Sequence, residues 1–133
     1  QISPLEQCIK ATDVDNLHIM TRGKSPANPS EMLSSERFRE MLDLLSQQYD
    51  HIIIDTPPVL AVTDSIIIAQ YSGVNLVVAR YAKTQIKELE LTISRFDQAG
   101  VKVNGFILND IQRTSGSSYG YNYAYAYTAN KDD

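Results

Sequence analysis

The sequence has no long hydrophobic run, one cysteine and no excess of basic charge. Its longest apolar runs, such as residues 66–69 and 76–79, are four residues long, whereas a helix that crosses a bilayer needs about 20. Because no cationic start precedes an apolar stretch and a small-residue cleavage site, we expect no secretory signal. With Cys8 alone, neither an internal disulfide nor a cysteine-rich metal site can form, which fits a reducing compartment.

The charge balance argues against nucleic acid as a partner. The 12 basic and 16 acidic residues give a net charge of -4, opposite in sign to the surface that binds a phosphate backbone. A chain of 133 residues corresponds to about one domain, and its composition, 43% hydrophobic and 21% charged, is typical of a soluble globular protein.

Strand-like and helix-like segments alternate along the chain. Residues 51–55, 74–79 and 101–108 are rich in β-branched residues and mostly apolar on both faces, which favours a parallel sheet covered by helices. Residues 16–20 are a shorter fourth candidate. Two apolar stripes have helical spacing. They comprise Phe38, Met41, Leu42 and Leu45, and Ile86, Leu89, Ile93 and Phe96.

Capping residues give the helix boundaries. Thr84 as an N-cap and Gly100 as a C-terminal cap predict a helix over about 85–99, and another is expected between residues 61 and 70. The alternation predicts an α/β fold with helices on the two faces of a parallel sheet. Since the composition changes after about Ile111, residues 1–111 form the predicted domain and 112–133 a mobile, tyrosine-rich tail.

Asp55 follows the apolar run 52–54 and precedes Thr56, Pro57 and Pro58. Ligands of open α/β folds bind outside the carboxyl ends of the strands, where this carboxylate is expected to lie. The prolines end the strand because they cannot donate to its ladder. This is the arrangement of a Walker B aspartate, which holds Mg²⁺ on nucleotide phosphates directly or through water. On these residues alone, an aspartate that only begins a turn remains an alternative.

The segment 49–64, which contains Asp55, resembles the Walker B region of the bacterial tyrosine kinases that regulate capsule and exopolysaccharide export. The segment 22–33 is also similar, with Ala27 in place of a usual proline. Further matches lie at 76–81, 95–100 and 105–109, and a terminal tyrosine cluster is typical of the family. The resemblance covers nearly the whole chain. It is closest to the proteobacterial type, in which kinase and membrane-embedded polysaccharide copolymerase are one polypeptide.

The resemblance implies a P-loop fold of the MinD and ParA type that uses ATP and Mg²⁺ to phosphorylate tyrosines in its own tail or a neighbour's. It implies that Asp55 binds the metal and acts in catalysis, that Asn109 lies against the adenine base, and that Arg22 pairs with an activating phosphotyrosine. The implied partners are further copies in a ring, a low-molecular-weight tyrosine phosphatase and the export machinery. The implied location is the cytoplasmic face of the inner membrane, within a larger membrane protein.

One part of the family pattern is missing from these residues. The family has a glycine-rich phosphate loop and a second aspartate motif ahead of the matched region. Gly23, Lys24 and Ser25 do not replace that loop, because the position five before Gly23 is His18 and Pro26 follows. We therefore expect the C-terminal part of a kinase domain, incomplete on its N-terminal side. Such a part should have exposed apolar surface and little or no ATP turnover alone.

Five tyrosines occupy every second position near the end of the sequence: Tyr119, Tyr121, Tyr123, Tyr125 and Tyr127. The resemblance identifies them as phosphoacceptors. An edge strand with an aromatic face, an adhesive low-complexity segment and a stacking platform for single-stranded nucleic acid are the alternatives. Five phosphotyrosines would add a charge of about -8 to -10, which would favour separation of subunits.

Several assignments stay open on the sequence alone. Asn109 is equally well explained as a residue that ends a strand, and Arg22 as an ordinary surface arginine. Asp64 has the features of a helix N-cap. Glu36, Arg37 and Arg39 suit a solvated helix face better than a subunit interface. Two functions compete with the kinase: a partition or septum-positioning ATPase of the MinD and ParA type, and a non-catalytic module that presents phosphotyrosines.

Overall fold

A computed structural model describes residues 4–24 and 26–111 of the chain. The predicted tail and its five tyrosines lie outside these residues. The helices are α1 (Leu5–Cys8), α2 (Pro29–Leu33), α3 (Glu36–Ser46), α4 (Asp64–Ala69) and α5 (Ile86–Gln98); the strands are β1 (Ile9–Ala11), β2 (His18–Met20), β3 (Leu76–Arg80) and β4 (Gly105–Asn109). None of the described helices has the length and apolar character of a membrane span.

Strands β3 and β4 form a parallel pair, and α5 connects them. Leu76 lies opposite Gly105 and Arg80 opposite Asn109, so both strands end at the same edge. This confirms the predicted α/β fold with a parallel sheet. Strand β4 begins four residues later than predicted. Just before it, Asn104 forms two hydrogen bonds with Asn75: its N–H donates to the Asn75 carbonyl at 2.8 Å, and its Oδ1 accepts from the Asn75 N–H at 2.8 Å.

Helix α5 has the predicted extent but a different N-cap. Gln85 occupies the cap position, and its N–H donates to the Glu88 carboxylate at 2.8 Å, as in a capping box. The prediction for Thr84 is wrong because its hydroxyl oxygen accepts instead from the Arg80 N–H at 2.8 Å. Gly100 follows the helix with a φ of 69°, the left-handed conformation predicted for the C-terminal cap.

Helix α3 carries the predicted apolar stripe, and its N-cap is Ser35, whose hydroxyl accepts from the Phe38 N–H. Phe38 meets Tyr71, just after α4, edge to face with ring centroids 5.8 Å apart. Helix α4 is shorter than the predicted 61–70. Asp64 is its first residue rather than its N-cap, and the Asp64 carboxylate accepts from the Ser30 hydroxyl at 3.1 Å, which links α4 to α2.

The core is small and lies on one face of the sheet. Ala69 of α4, Phe96 of α5 and Val101 are buried together, and Val59 and Val77 pack against them. On the other face, Leu76 is 54% and Val78 62% exposed. The expectation of helices on both faces is therefore wrong for the described residues. The exposed apolar surface expected of an incomplete domain is present.

The predicted strand at 51–55 is not a strand in the structure. These residues join no ladder among the described strands, and Ile53 is 94% exposed. A segment becomes a strand only when a neighbouring strand pairs with its backbone, and no described strand does so here. Conversely, β2 lies within the predicted 16–20 segment but pairs antiparallel with β1, which the sequence did not predict.

Candidate active site

Asp55 is the last residue of the segment 51–55, which has no regular secondary structure, and it is exposed. It takes part in no ion pair among the residues described. Its free carboxylate oxygens are the kind of ligand that Mg²⁺ accepts, and Mg²⁺ in nucleotide sites is held by one or two carboxylates together with phosphates and water. Since the described residues contain no group of three or more potential metal-ligating side chains, this carboxylate fits a metal only if a nucleotide and water complete the coordination.

The loop after Asp55 is held by hydrogen bonds to three successive carbonyl oxygens. The buried hydroxyl of Ser65 in α4 donates to the Pro57 carbonyl at 2.5 Å. The Pro58 carbonyl accepts from the Ala61 N–H at 2.9 Å, which closes a turn. The Val59 carbonyl accepts from Nη1 of Arg95 in α5 at 2.8 Å. The chain is thus fixed to two helices within four residues of Asp55.

Asn109 lies at the carboxyl end of β4, beside the end of β3. Its side-chain oxygen accepts from the N–H of Asp110 at 2.8 Å, and its carbonyl accepts from the Tyr81 N–H at 2.9 Å. Asp110 has a φ of 60°, a conformation that aspartate tolerates better than most residues. With its side-chain oxygen occupied, the Asn109 amide can present its NH₂ donors to a ligand.

An ion pair joins the two strand ends next to Asn109. Nε of Arg80 lies 2.7 Å from the Asp110 carboxylate, and both side chains are about half exposed. A cavity of about 280 Å³ opens here, lined by Arg80, Tyr81, Ala82, Lys83 and Asp110. Its position outside the carboxyl ends of parallel strands is where α/β proteins bind their ligands.

The other predicted site residues are dispersed. Arg22 is exposed in the loop after β2, and Glu36, Arg37 and Arg39 are exposed on α3. No hydrogen bond among the described residues joins Asp55 to Asn109 or Arg22. The tyrosines from Tyr119 to Tyr127 lie outside the described residues.

Sequence reasoning assigned no role to Ser65 and Arg95, which hold the loop after Asp55. The only signals were a serine directly before the apolar segment 66–69 and an arginine beside Phe96 of the apolar stripe of α5. Neither signal identifies a backbone carbonyl as the partner. The pair of Arg80 and Asp110 was likewise not predicted.

Comparison with known proteins places this geometry in a family. A family model described as an AAA domain matches residues 2–105. The tyrosine-protein kinase ptk of Acinetobacter johnsonii is 70% identical over 111 residues, which are 84% of this chain and 15% of that relative. The tyrosine-protein kinase wzc of Salmonella typhimurium is 49% identical over 125 residues, 92% of this chain and 17% of that relative.

Solved structures show the same similarity to tyrosine kinases. The kinase domain of the Escherichia coli tyrosine kinase ETK matches with a TM-score of 0.78 and 38% identity, over 90% of this chain and 48% of that one. The chain thus spans less than a fifth of the curated relatives and about half of this solved kinase domain.

The parallel sheet, the flanking helices and the AAA-domain match define a P-loop NTPase-like domain, a class that implies nucleotide binding. Within that class, the chain belongs to the AAA-domain family, and its similarity to Wzc and Etk identifies it as a fragment of a Wzc-like bacterial tyrosine kinase.

Proposed function

We propose that this chain is the C-terminal part of the kinase domain of a protein-tyrosine autokinase that regulates polymerisation and export of capsular polysaccharide or exopolysaccharide. The observation that carries the proposal is the 70% identity, over 84% of this chain, to a protein named as a tyrosine-protein kinase. The exposed Asp55 carboxylate, held beside a fixed loop, supports it.

In this proposal the nucleotide is ATP and the metal is Mg²⁺. When bound, Mg²⁺ would neutralise charge on the β- and γ-phosphates. Asp55 holds the metal, directly or through water, and its anchored loop keeps the carboxylate oriented. Asn109 donates to the base from the end of β4. Arg22, exposed on its loop, donates two hydrogen bonds from its guanidinium to the phosphate of an activating phosphotyrosine.

The phosphoacceptors in this proposal are Tyr119, Tyr121, Tyr123, Tyr125 and Tyr127. Each phosphate adds about -1.5 to -2 charge to a chain whose net charge is already -4. Repulsion of that size favours separation of neighbouring copies from a ring in which each phosphorylates the next. A low-molecular-weight tyrosine phosphatase would reverse the modification. The parent protein lies at the cytoplasmic face of the inner membrane, beside the export machinery.

The experiment mixes the chain with ATP, Mg²⁺ and the catalytically competent kinase domain of ETK, and maps phosphate by mass spectrometry. Modification of residues 119–127 in the mixture, with little or none in a control that contains the chain alone, is the expected result. Substantial modification of the chain alone would contradict the expected dependence on the rest of a kinase domain. Absence of phosphate from both would contradict the phosphoacceptor role.

A non-catalytic module that presents phosphotyrosines is the second candidate. It is favoured by the sequence, in which Gly23, Lys24 and Ser25 do not form a phosphate-binding loop. Titration of the chain with ATP and Mg²⁺, followed by isothermal calorimetry, separates the two functions. Binding that is lost in Asp55→Asn supports the kinase site, whereas no binding together with phosphorylation in the mixture supports the module.

A further inference from the structure

The segment between Asp55 and α4 is fixed through its acceptors. Pro57 and Pro58 have no N–H to donate, so at these two residues the carbonyl oxygens are the backbone groups that can form hydrogen bonds. Those of Pro57, Pro58 and Val59 each accept a hydrogen bond, from Ser65, from the turn amides and from Arg95. The prolines also confine the preceding residues to extended conformations, so little conformational freedom remains between Asp55 and Val59.

Arg95 provides the most distant of these contacts. Its Nη1 reaches the Val59 carbonyl 36 residues away in sequence at 2.8 Å. The Val59 side chain packs against the cluster that contains Phe96, the residue next to Arg95. Arg95 therefore fixes the carbonyl of a residue whose side chain is anchored in the core. A charged donor makes a stronger hydrogen bond to a carbonyl than a neutral one does.

Helix α5, which carries Arg95, is capped at both ends. Its first turn is closed by the bond from the Gln85 N–H to Glu88, and Gly100 ends it in the left-handed conformation. Arg95 lies in the last turn of the helix, where the carbonyl ends of the helix favour a positive side chain. The helix thus positions the guanidinium independently of its contact with the loop.

We propose that Arg95 is a positioning residue for Asp55: by holding the Val59 carbonyl, it fixes the loop that sets the direction of the Asp55 carboxylate. Ser65 acts in the same way on the Pro57 carbonyl. This inference rests on the proposed role of Asp55 as the carboxylate that holds Mg²⁺. Neither residue touches the metal or the nucleotide; each acts through the four residues that follow Asp55.

The test uses the full-length kinase polypeptide that carries these residues. Arg95→Met removes the donor and keeps the length of the side chain, whereas Arg95→Lys keeps a charged donor. Lys87→Met is the matched control, because Lys87 is an exposed basic residue on the same helix. Two quantities are measured for each variant: the Mg²⁺ concentration that gives half-maximal autophosphorylation, and the hydrogen exchange rates of the amides of residues 59–62.

Arg95→Met should speed exchange in residues 59–62 and raise the half-saturating Mg²⁺ concentration about tenfold, as expected for the loss of one hydrogen bond to a charged donor. The rate at saturating Mg²⁺ should change less. Arg95→Lys should restore part of both effects, and Lys87→Met should change neither. Ser65→Ala should act in the same direction, and it replaces Arg95→Met if that variant does not fold.

The outcomes separate this inference from the proposed function. Faster exchange with an unchanged Mg²⁺ requirement would overturn the positioning role and leave Arg95 as a stabilising residue. Unchanged exchange would overturn the anchoring itself. If Asp55→Asn leaves the Mg²⁺ requirement unchanged, the proposed metal role of Asp55 fails. If Asp55→Asn abolishes activity and Arg95→Met shifts nothing, only the inference fails.

Discussion

Gly100 allows the stability of the turn after α5 to be predicted quantitatively. Its φ is 69°, and a Cβ placed on it would meet no heavy atom within 4 Å. Gly100→Ala should therefore lose stability through backbone conformation alone, about 1 to 2 kcal/mol for an alanine in the left-handed region. Equilibrium unfolding in urea, with the free energy of unfolding extrapolated to water, measures this loss.

Gly73→Ala is the matched control. A Cβ at Gly73 also meets nothing within 4 Å, and its φ is not in the left-handed range. This variant should be neutral or gain up to about 1 kcal/mol, because alanine restricts the unfolded chain. Gly100→Asn should lie between Gly100→Ala and wild type, since asparagine tolerates the left-handed region. Equal unfolding free energies for the two alanine variants would refute the argument that φ, rather than space, determines the cost.

Three further predictions concern the core, the strand ends and the tail. Phe96→Ala should lower the free energy of unfolding by about 3 to 5 kcal/mol, because Phe96 is only 5% exposed. Ile86→Ala should lower it far less, because Ile86 is 74% exposed. Unfolding in urea measures both free energies. Arg80→Met should cost less than about 1 kcal/mol, and less still at high salt, because its pair with Asp110 is half exposed; a large loss at high salt would contradict this. Replacement of all five tyrosines from Tyr119 to Tyr127 by phenylalanine should abolish phosphate incorporation in the mixture with the ETK kinase domain; incorporation that persists would move the acceptors elsewhere.

Sequence patterns predicted correctly those features that depend on residues close together in the chain. The stripe of α3 and the glycine after α5 depend on residues within a few positions of one another, so periodicity and capping rules identify them. Predictions failed where a distant partner decides. Residues 51–55 have the composition of a strand, but no described strand lies beside them. Thr84 has the chemistry of an N-cap, yet its oxygen accepts from Arg80.

In the candidate site, too, the sequence predicted some features and not the contacts with distant residues. The motif around Asp55 predicted a carboxylate at the end of a buried strand; the structure has Asp55 exposed and no strand at 51–55, and the metal role of Asp55 stays a prediction. The sequence did not predict that Ser65 and Arg95 hold the following loop. Their acceptors are main-chain carbonyls of Pro57 and Val59, which every residue possesses. A pattern of side-chain types therefore carries no signal for such a contact.

The two prolines and the two anchoring side chains meet one requirement. In its proposed role as the carboxylate that holds Mg²⁺, Asp55 must be open to solvent and yet fixed in direction, because each degree of freedom lost on binding costs free energy. Exposure of Asp55 meets the first condition. For the second, a strand ladder cannot continue through Pro57 and Pro58, since neither donates an N–H. In place of a ladder, Ser65 of α4 and Arg95 of α5 donate hydrogen bonds to the carbonyl oxygens of Pro57 and Val59. Replacing either proline by alanine would restore an N–H but loosen the backbone, so it should increase exchange at residues 59–62 even with both donors intact.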